Sequence, residues 1–292
     1  MNFVPPADNK TSRNLRSIQE ITSMNNNQEL PIPVKGQYAL WQIVGIWLAG
    51  GAPMWILGWL VYPAMSLGLP PAEAALLRFK LLTVGLVWEF VLAMIILYYE
   101  VGNFRLSTIS RRFWLNHPVS VRTGETKKSL WWWIVPLMLL VAFVEIGFKP
   151  KLVNLWATIF PLFAEPKGYD MSSMFTSELR AQMVGAWGLL GLFFVNALFN
   201  TVLGEEFLFR GVLLPKMEGV FGRWDWVANG VIFGFYHLHQ PWVILSSVLT
   251  SLIYAFSAKR FRSNWMAVII RGVEGILMLV TILAAVLGMK PG

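Results

Sequence analysis

Two clusters of polar side chains sit where the chain is otherwise apolar. The first is Gly204-Glu205-Glu206-Phe207-Leu208-Phe209-Arg210-Gly211. Glu206 and Arg210 are four apart, which on a helix is ion-pair spacing. Glu205 lies about 100° further round. The spacing predicts that Arg210 holds Glu206 ionised and leaves Glu205 free for chemistry. A carboxylate in a poorly hydrated cavity is a better general base near neutral pH than one in water. The second cluster is Phe233-Gly234-Phe235-Tyr236-His237-Leu238-His239-Gln240-Pro241. Two of the three histidines of the chain are here. His237 shares a helix face with Phe233. His237 and His239 point about 200° apart on a regular helix, so they converge only if the helix ends between them, and Pro241 makes such an end natural.

These residues are costly where they stand. An ionisable group inside a membrane span costs about 2.5–3.5 kcal/mol on insertion scales. The same cost applies to Glu89, Glu145, Arg271 and Glu274. Glu89 and Glu145 are isolated in their spans and read as structural. Arg271 and Glu274 are three apart and read as a local ion pair.

The elements that must carry these groups are lipid-embedded helices. The chain has 292 residues, 56% hydrophobic and 14% charged. Soluble domains run near 25% charged, so an ordinary water-facing enzyme is excluded. The absence of cysteine excludes disulfides, zinc–thiolate sites and a cysteine nucleophile. The formal charge of +8 reads as the cytoplasmic Lys and Arg excess of an integral membrane protein, not as a nucleic-acid footprint. Residues 1–36 are polar and read as a flexible cytoplasmic tail. Residues 37–292 read as one transmembrane bundle, with the motif-bearing core at 183–275. The expected fold is an all-α polytopic bundle of about seven (7–8) transmembrane helices. The spans fall near 37–62, 81–99, 131–148, 183–203, 226–239, 242–258 and 264–287. The piece 152–163 is too short to cross about 30 Å and reads as re-entrant or surface-lying. Basic residues before Trp131 and at Lys216, Arg223, Lys259, Arg260 and Arg262 favour a cytoplasmic N-terminus and placement in the plasma (inner) membrane.

Glu205-Glu206-x-x-x-Arg210 followed by Phe233-x-x-x-His237 on successive apolar helices resembles the CPBP family. That family comprises CAAX-processing (type II) prenyl endopeptidases and bacteriocin-processing-like intramembrane proteases. The resemblance implies that Glu205 activates water, that Glu206 with Arg210 supports it, and that His237 orients water, holds an oxyanion or binds a metal. It leaves the cofactor open between a divalent metal such as zinc and none, with Glu205, His237 and His239 as the metal candidates. The chain departs from the family at its third motif. Arg271 stands at the histidine position and Gly275 at the asparagine position, and neither binds a metal. Zinc would want three protein ligands and a water.

The expected function is therefore an intramembrane endopeptidase cleaving a membrane-associated or lipid-modified peptide. Its catalytic residues would be Glu205, Glu206, His237 and Arg210, with Phe233 and Arg271 binding substrate or oxyanion. Its partners would be the peptide or lipidated protein substrate and membrane lipid, with no nucleic acid. The alternative is a non-catalytic family member, an immunity or scaffold protein, favoured by the altered third motif. A proton-relaying transporter is a third reading, and the sequence shows no inverted repeat to support it.

Overall fold

The computed structural model describes residues 36–176 and 183–289. The tail read over residues 1–36 lies, but for Gly36, outside them. The described chain forms eight helices. These are α1 (Leu40–Met65), α2 (Pro71–Val101), α3 (Leu106–Arg112), α4 (Lys128–Ile159), α5 (Trp187–Lys216), α6 (Asp225–Tyr236), α7 (Pro241–Phe261) and α8 (Asn264–Val286). Among the described residues there is no strand, only one bridge between Val119 and Thr126. Six of the helices (all but α3 and α6) are long and apolar enough to cross a membrane. Large apolar side chains such as Ile146, Leu277 and Val280 stand exposed on them, as lipid-facing positions do. The chain is an integral, multi-pass helical bundle.

Two spans run further than expected. α2 begins ten residues before Leu81, because Arg78 is buried inside the bundle and not solvated in a loop. Its guanidinium stacks on Tyr169 and Trp242 and donates to the Tyr169 and His239 carbonyls. Residues 152–159 are not a separate re-entrant piece: they continue α4, which runs unbroken to Ile159. The reason is local. Pro150 would clash with the preceding turn and lacks an N–H, but the helix widens to i→i+5 bonding over Phe143–Phe148 and passes it. The same device recurs. Leu57–Val61 widens ahead of Pro63, and Glu206–Leu213 ahead of Pro215.

The expected fifth span is α6, twelve residues long, or about 18 Å, too short to cross alone. It packs tightly on α7. A Cβ at Gly230 would come within 3.0 Å of the Leu252 backbone, and one at Gly234 within 3.0 Å of the Val248 backbone. Two glycines four apart thus let the helices approach as small residues do in membranes. The principal core joins α1, α2, α5 and α6 through Ile43, Met54, Leu86, Phe207, Leu208 and Phe233.

Candidate active site

α5 carries the two acids where its widened stretch begins: Glu205 stands just before Glu206–Leu213 and Glu206 opens it. Glu205 and Glu206 are 3% and 0% exposed, and Arg210 is 0% exposed. Gly204 precedes them with irregular backbone and packs directly under α2. A Cβ there would lie 2.7 Å from the Leu86 carbonyl and 2.6 Å from that of Phe199. The expected pair forms: Arg210 Nη1 lies 3.2 Å from Glu206 Oε1. Arg210 also donates to Ser251 Oγ at 2.6 Å.

Glu205 is not left free. Arg271, on α8, is ion-paired with Glu205 through Nη2 and donates through Nη1 to Glu206 Oε1 at 3.2 Å. Its Nη2 also reaches Asn200 Oδ1 at 3.2 Å. The expected local pair of Arg271 with Glu274 is thus replaced by a pair across helices. The physical reason is burial. Arg271 is turned inward to two sequestered carboxylates that need a counter-charge, while Glu274 lines a lateral opening. Phe233 supports both guanidiniums, with Arg210 at 4.2 Å and Arg271 at 5.2 Å from its ring centroid. Asn264, at the start of α8, ties the helix to α5 by donating to the Glu206 carbonyl at 3.1 Å.

α6 does end before the histidines. It stops at Tyr236, and His237–His239 form one tight turn. The two imidazoles come together, stacked at 5.5 Å. A helix C-terminus leaves carbonyls without partners, and here other helices supply the donors. Trp59 Nε1 donates to Leu238 (2.8 Å), Arg78 to His239 (3.2 Å) and Trp156 Nε1 to Pro241 (3.0 Å). His237 Nδ1 donates to the Phe233 carbonyl at 3.0 Å. Its ring meets Phe233 at 4.9 Å and Tyr236 at 5.1 Å, and it makes no hydrogen bond to Glu205 or Glu206.

Two residues join the cluster that the sequence reading left out. Glu89 on α2 is wholly buried and accepts from the Tyr236 hydroxyl, so its reading as an isolated structural charge is replaced by a place in the site. The Tyr236 phenol also lies near enough to Glu205 for the two to interact electrostatically. The signal was present for Glu89, an ionisable group at membrane depth. For Tyr236 there was none beyond its place beside His237. Glu145 keeps its structural reading, paired with Lys149 at 2.5 Å.

A divalent cation does not fit this donor set. Among the described residues no three His, Asp or Glu side chains group as a metal would require. The space between Glu205 and Glu206 is taken by a guanidinium. What the arrangement offers instead is two buried carboxylates, a permanent cation between them, and a way in. A cavity of about 360 Å³ between α4, α7 and α8 is lined by Val141, Glu145, Lys149, Tyr254, Arg271 and Glu274.

Residues 186–276, under half of the chain, match the model of one protein family, Type II CAAX prenyl endopeptidase Rce1-like. The match bears out the resemblance drawn from the two motifs and covers α5 to the middle of α8. It places the acids, both histidines and Arg271 within a segment similar to CAAX-type proteases of membranes. No curated protein matches the chain, and no solved structure does.

Proposed function

We propose that the chain is an intramembrane endopeptidase of glutamate type, working on a membrane-associated or lipid-modified peptide. The observation that carries this reading is the division of two adjacent buried carboxylates between Arg210 and Arg271, inside the segment that matches the protease family. Glu206 and Arg210 form the fixed half. Glu205 and Arg271 form the other half, and Arg271 lines the cavity.

The chemistry follows from those roles. A peptide segment enters by the cavity and its scissile carbonyl meets the Arg271 guanidinium. Glu205 takes a proton from water, and the resulting hydroxide adds to the carbonyl carbon. Arg271 donates to the oxyanion. Collapse breaks the C–N bond, and Glu205 returns the proton to the leaving amine. His237, beside the Phe233 and Tyr236 rings, fixes the end of α6 and completes the wall of the site. Basic residues on the face of the bundle bearing Lys216 and Lys259 support a cytoplasmic N-terminus.

One observation favours a second reading. A guanidinium lying on both carboxylates occupies oxygens that would otherwise meet water, as suits a non-catalytic membrane partner. The test is cleavage of plain and prenylated fluorogenic peptides by the purified chain in nanodiscs. The protease reading expects new amino termini by mass spectrometry, and about a 10²–10⁴-fold fall in kcat for Glu205→Gln. Undiminished turnover by folded Glu205→Gln sinks the mechanism. Partner capture that survives Glu205→Gln, with no cleavage by the native chain, establishes the second reading.

A further inference from the structure

The buried cluster does not balance. Arg210 and Arg271 bring two cations that stay protonated at any working pH. Glu89, Glu205 and Glu206 bring three carboxyl groups. All of these side chains but Arg271 are 3% exposed or less, and Arg271 is 11% exposed. α1, packed against the other side of α2, brings no charged residue, and its one titratable group is Tyr62 near its far end. α5 adds Asn200 to the site, and α7 adds Ser251 and Tyr254. A second proton on His237 would face Arg210 and Arg271 across Phe233 without a carboxylate to hold it. Lys149 is spoken for by Glu145. One negative charge is therefore in surplus, and a surplus charge out of water neutralises by taking a proton.

The three acids differ in what holds them. Glu205 has Arg271. Glu206 has both guanidiniums on Oε1, although its Oε2 has no partner. Glu89 has no cation within ion-pair distance among the described residues. Its Oε1 meets the Tyr236 hydroxyl and its Oε2 meets no donor at all. We propose that Glu89 carries the proton of the cluster, and that the Tyr236 hydroxyl links that proton to Glu205.

The Glu89 half of the link is already made, by the Tyr236 hydroxyl, and the Glu205 half needs only an approach within the same cluster. A hydroxyl both donates and accepts, and its hydrogen rotates. With the two hydrogens turned, Glu89 donates to the Tyr236 oxygen and Tyr236 donates to Glu205. Passing one proton along each bond leaves Glu89 a carboxylate and Glu205 a carboxylic acid; the reverse passage restores both. Glu89 is thus a positioning residue. It keeps Glu205 the ionised member while water is activated. Its effect on turnover rests on the proteolytic reading above, whereas its protonation does not.

Infrared spectroscopy of the full chain in nanodiscs at neutral pH tests this without turnover. The native protein is expected to show a protonated-carboxyl C=O band. Glu89→Gln removes it, Glu206→Gln keeps it, and Tyr236→Phe shifts it as its hydrogen bond is lost. A native spectrum without the band, a band that survives Glu89→Gln, or one unmoved by Tyr236→Phe overturns the proposal. If Glu89→Gln does not fold, the native spectrum and Tyr236→Phe decide it. In the cleavage assay, Glu89→Gln lowers kcat at least about tenfold with KM unchanged, and Glu89→Asp recovers part of the loss. A native chain that cleaves nothing but shows the band ends the proteolytic reading alone. A chain that cleaves, with the band intact in Glu89→Gln, ends this one alone.

Discussion

At the scale of residues, Arg271 decides what the site is. Among the described residues it is the one guanidinium that lies against both acids and also lines the cavity. As an oxyanion donor it is worth what such donors are worth elsewhere, about 10²–10³ in kcat. Arg271→Gln is therefore expected to lower kcat by that factor while Glu206 keeps Arg210 and the fold. A rise in kcat on the same substitution would mean that the guanidinium restrains Glu205, and would remove it from the mechanism. The sequence shows Arg271 as an intramembrane charge and as the departure from the family's third motif. It does not show the partner. Spacing reveals contacts three or four residues apart on one helix, which is why Glu206–Arg210 was legible and why Arg271 was assigned to Glu274. Contacts between residues 66 positions apart, such as Arg271 with Glu205, depend on how α8 rotates against α5, and no local pattern encodes that.

At the scale of elements, prolines were the least legible feature. Pro63, Pro150 and Pro215 are residues of a kind that usually ends or kinks a helix. Each instead follows, by two residues, a helical stretch wound wider than an α-helix. The widening lets the chain keep its helical path while relieving the clash of the pyrrolidine ring with the preceding turn. In α5 this has a consequence for chemistry, since the widened stretch is the one that carries Glu206 and Arg210. Gly204 is the other requirement of that stretch. The backbone carbonyls of Leu86 and Phe199 lie where a Cβ would go, and carbonyls, unlike side-chain tips, cannot swing aside. Gly204→Ala is expected to push α5 off α2, costing about 1–3 kcal/mol of stability as overpacking does, and to cut activity by displacing Glu205. Gly191→Ala, where nothing lies within 4 Å of the new methyl, is the control and should melt like the native chain. Equal melting temperatures for the two variants would show that the close approach of α2 and α5 is not needed.

At the scale of the whole molecule, the contacts sort the chain ends of the helices onto two faces. On one face the Tyr38 N–H donates to the Lys216 carbonyl at 2.9 Å, and Glu100 holds both Lys216 and Arg112. Lys259 pairs there with Asp225, and Val119 bonds to Phe261. On the other face Arg78 reaches the Tyr169 carbonyl and Gly185 bonds to Val286. The path must therefore reverse six times between seven passages, with short α6 counted as a passage, so that Tyr38 and Val286 end on opposite faces. This is the seven-passage arrangement expected from hydropathy, with six helices long enough to cross and a seventh that goes only part of the way before its histidine turn. Arg111, Arg112, Arg122, Lys127, Lys128, Arg260 and Arg262 fall on the first face, which is the cytoplasmic one under the orientation proposed above from the positive-inside rule. The chain has no cysteine, so a cysteine placed at one exposed site reports its side of the membrane without background. Thr123→Cys, in the loop before α4, is expected to resist a membrane-impermeant thiol reagent applied to intact cells and to react after permeabilisation. Lys167→Cys, between α4 and α5, is expected to react without it. The opposite pattern would invert the bundle, turn the basic face outward, and leave the acids reachable only from the far side.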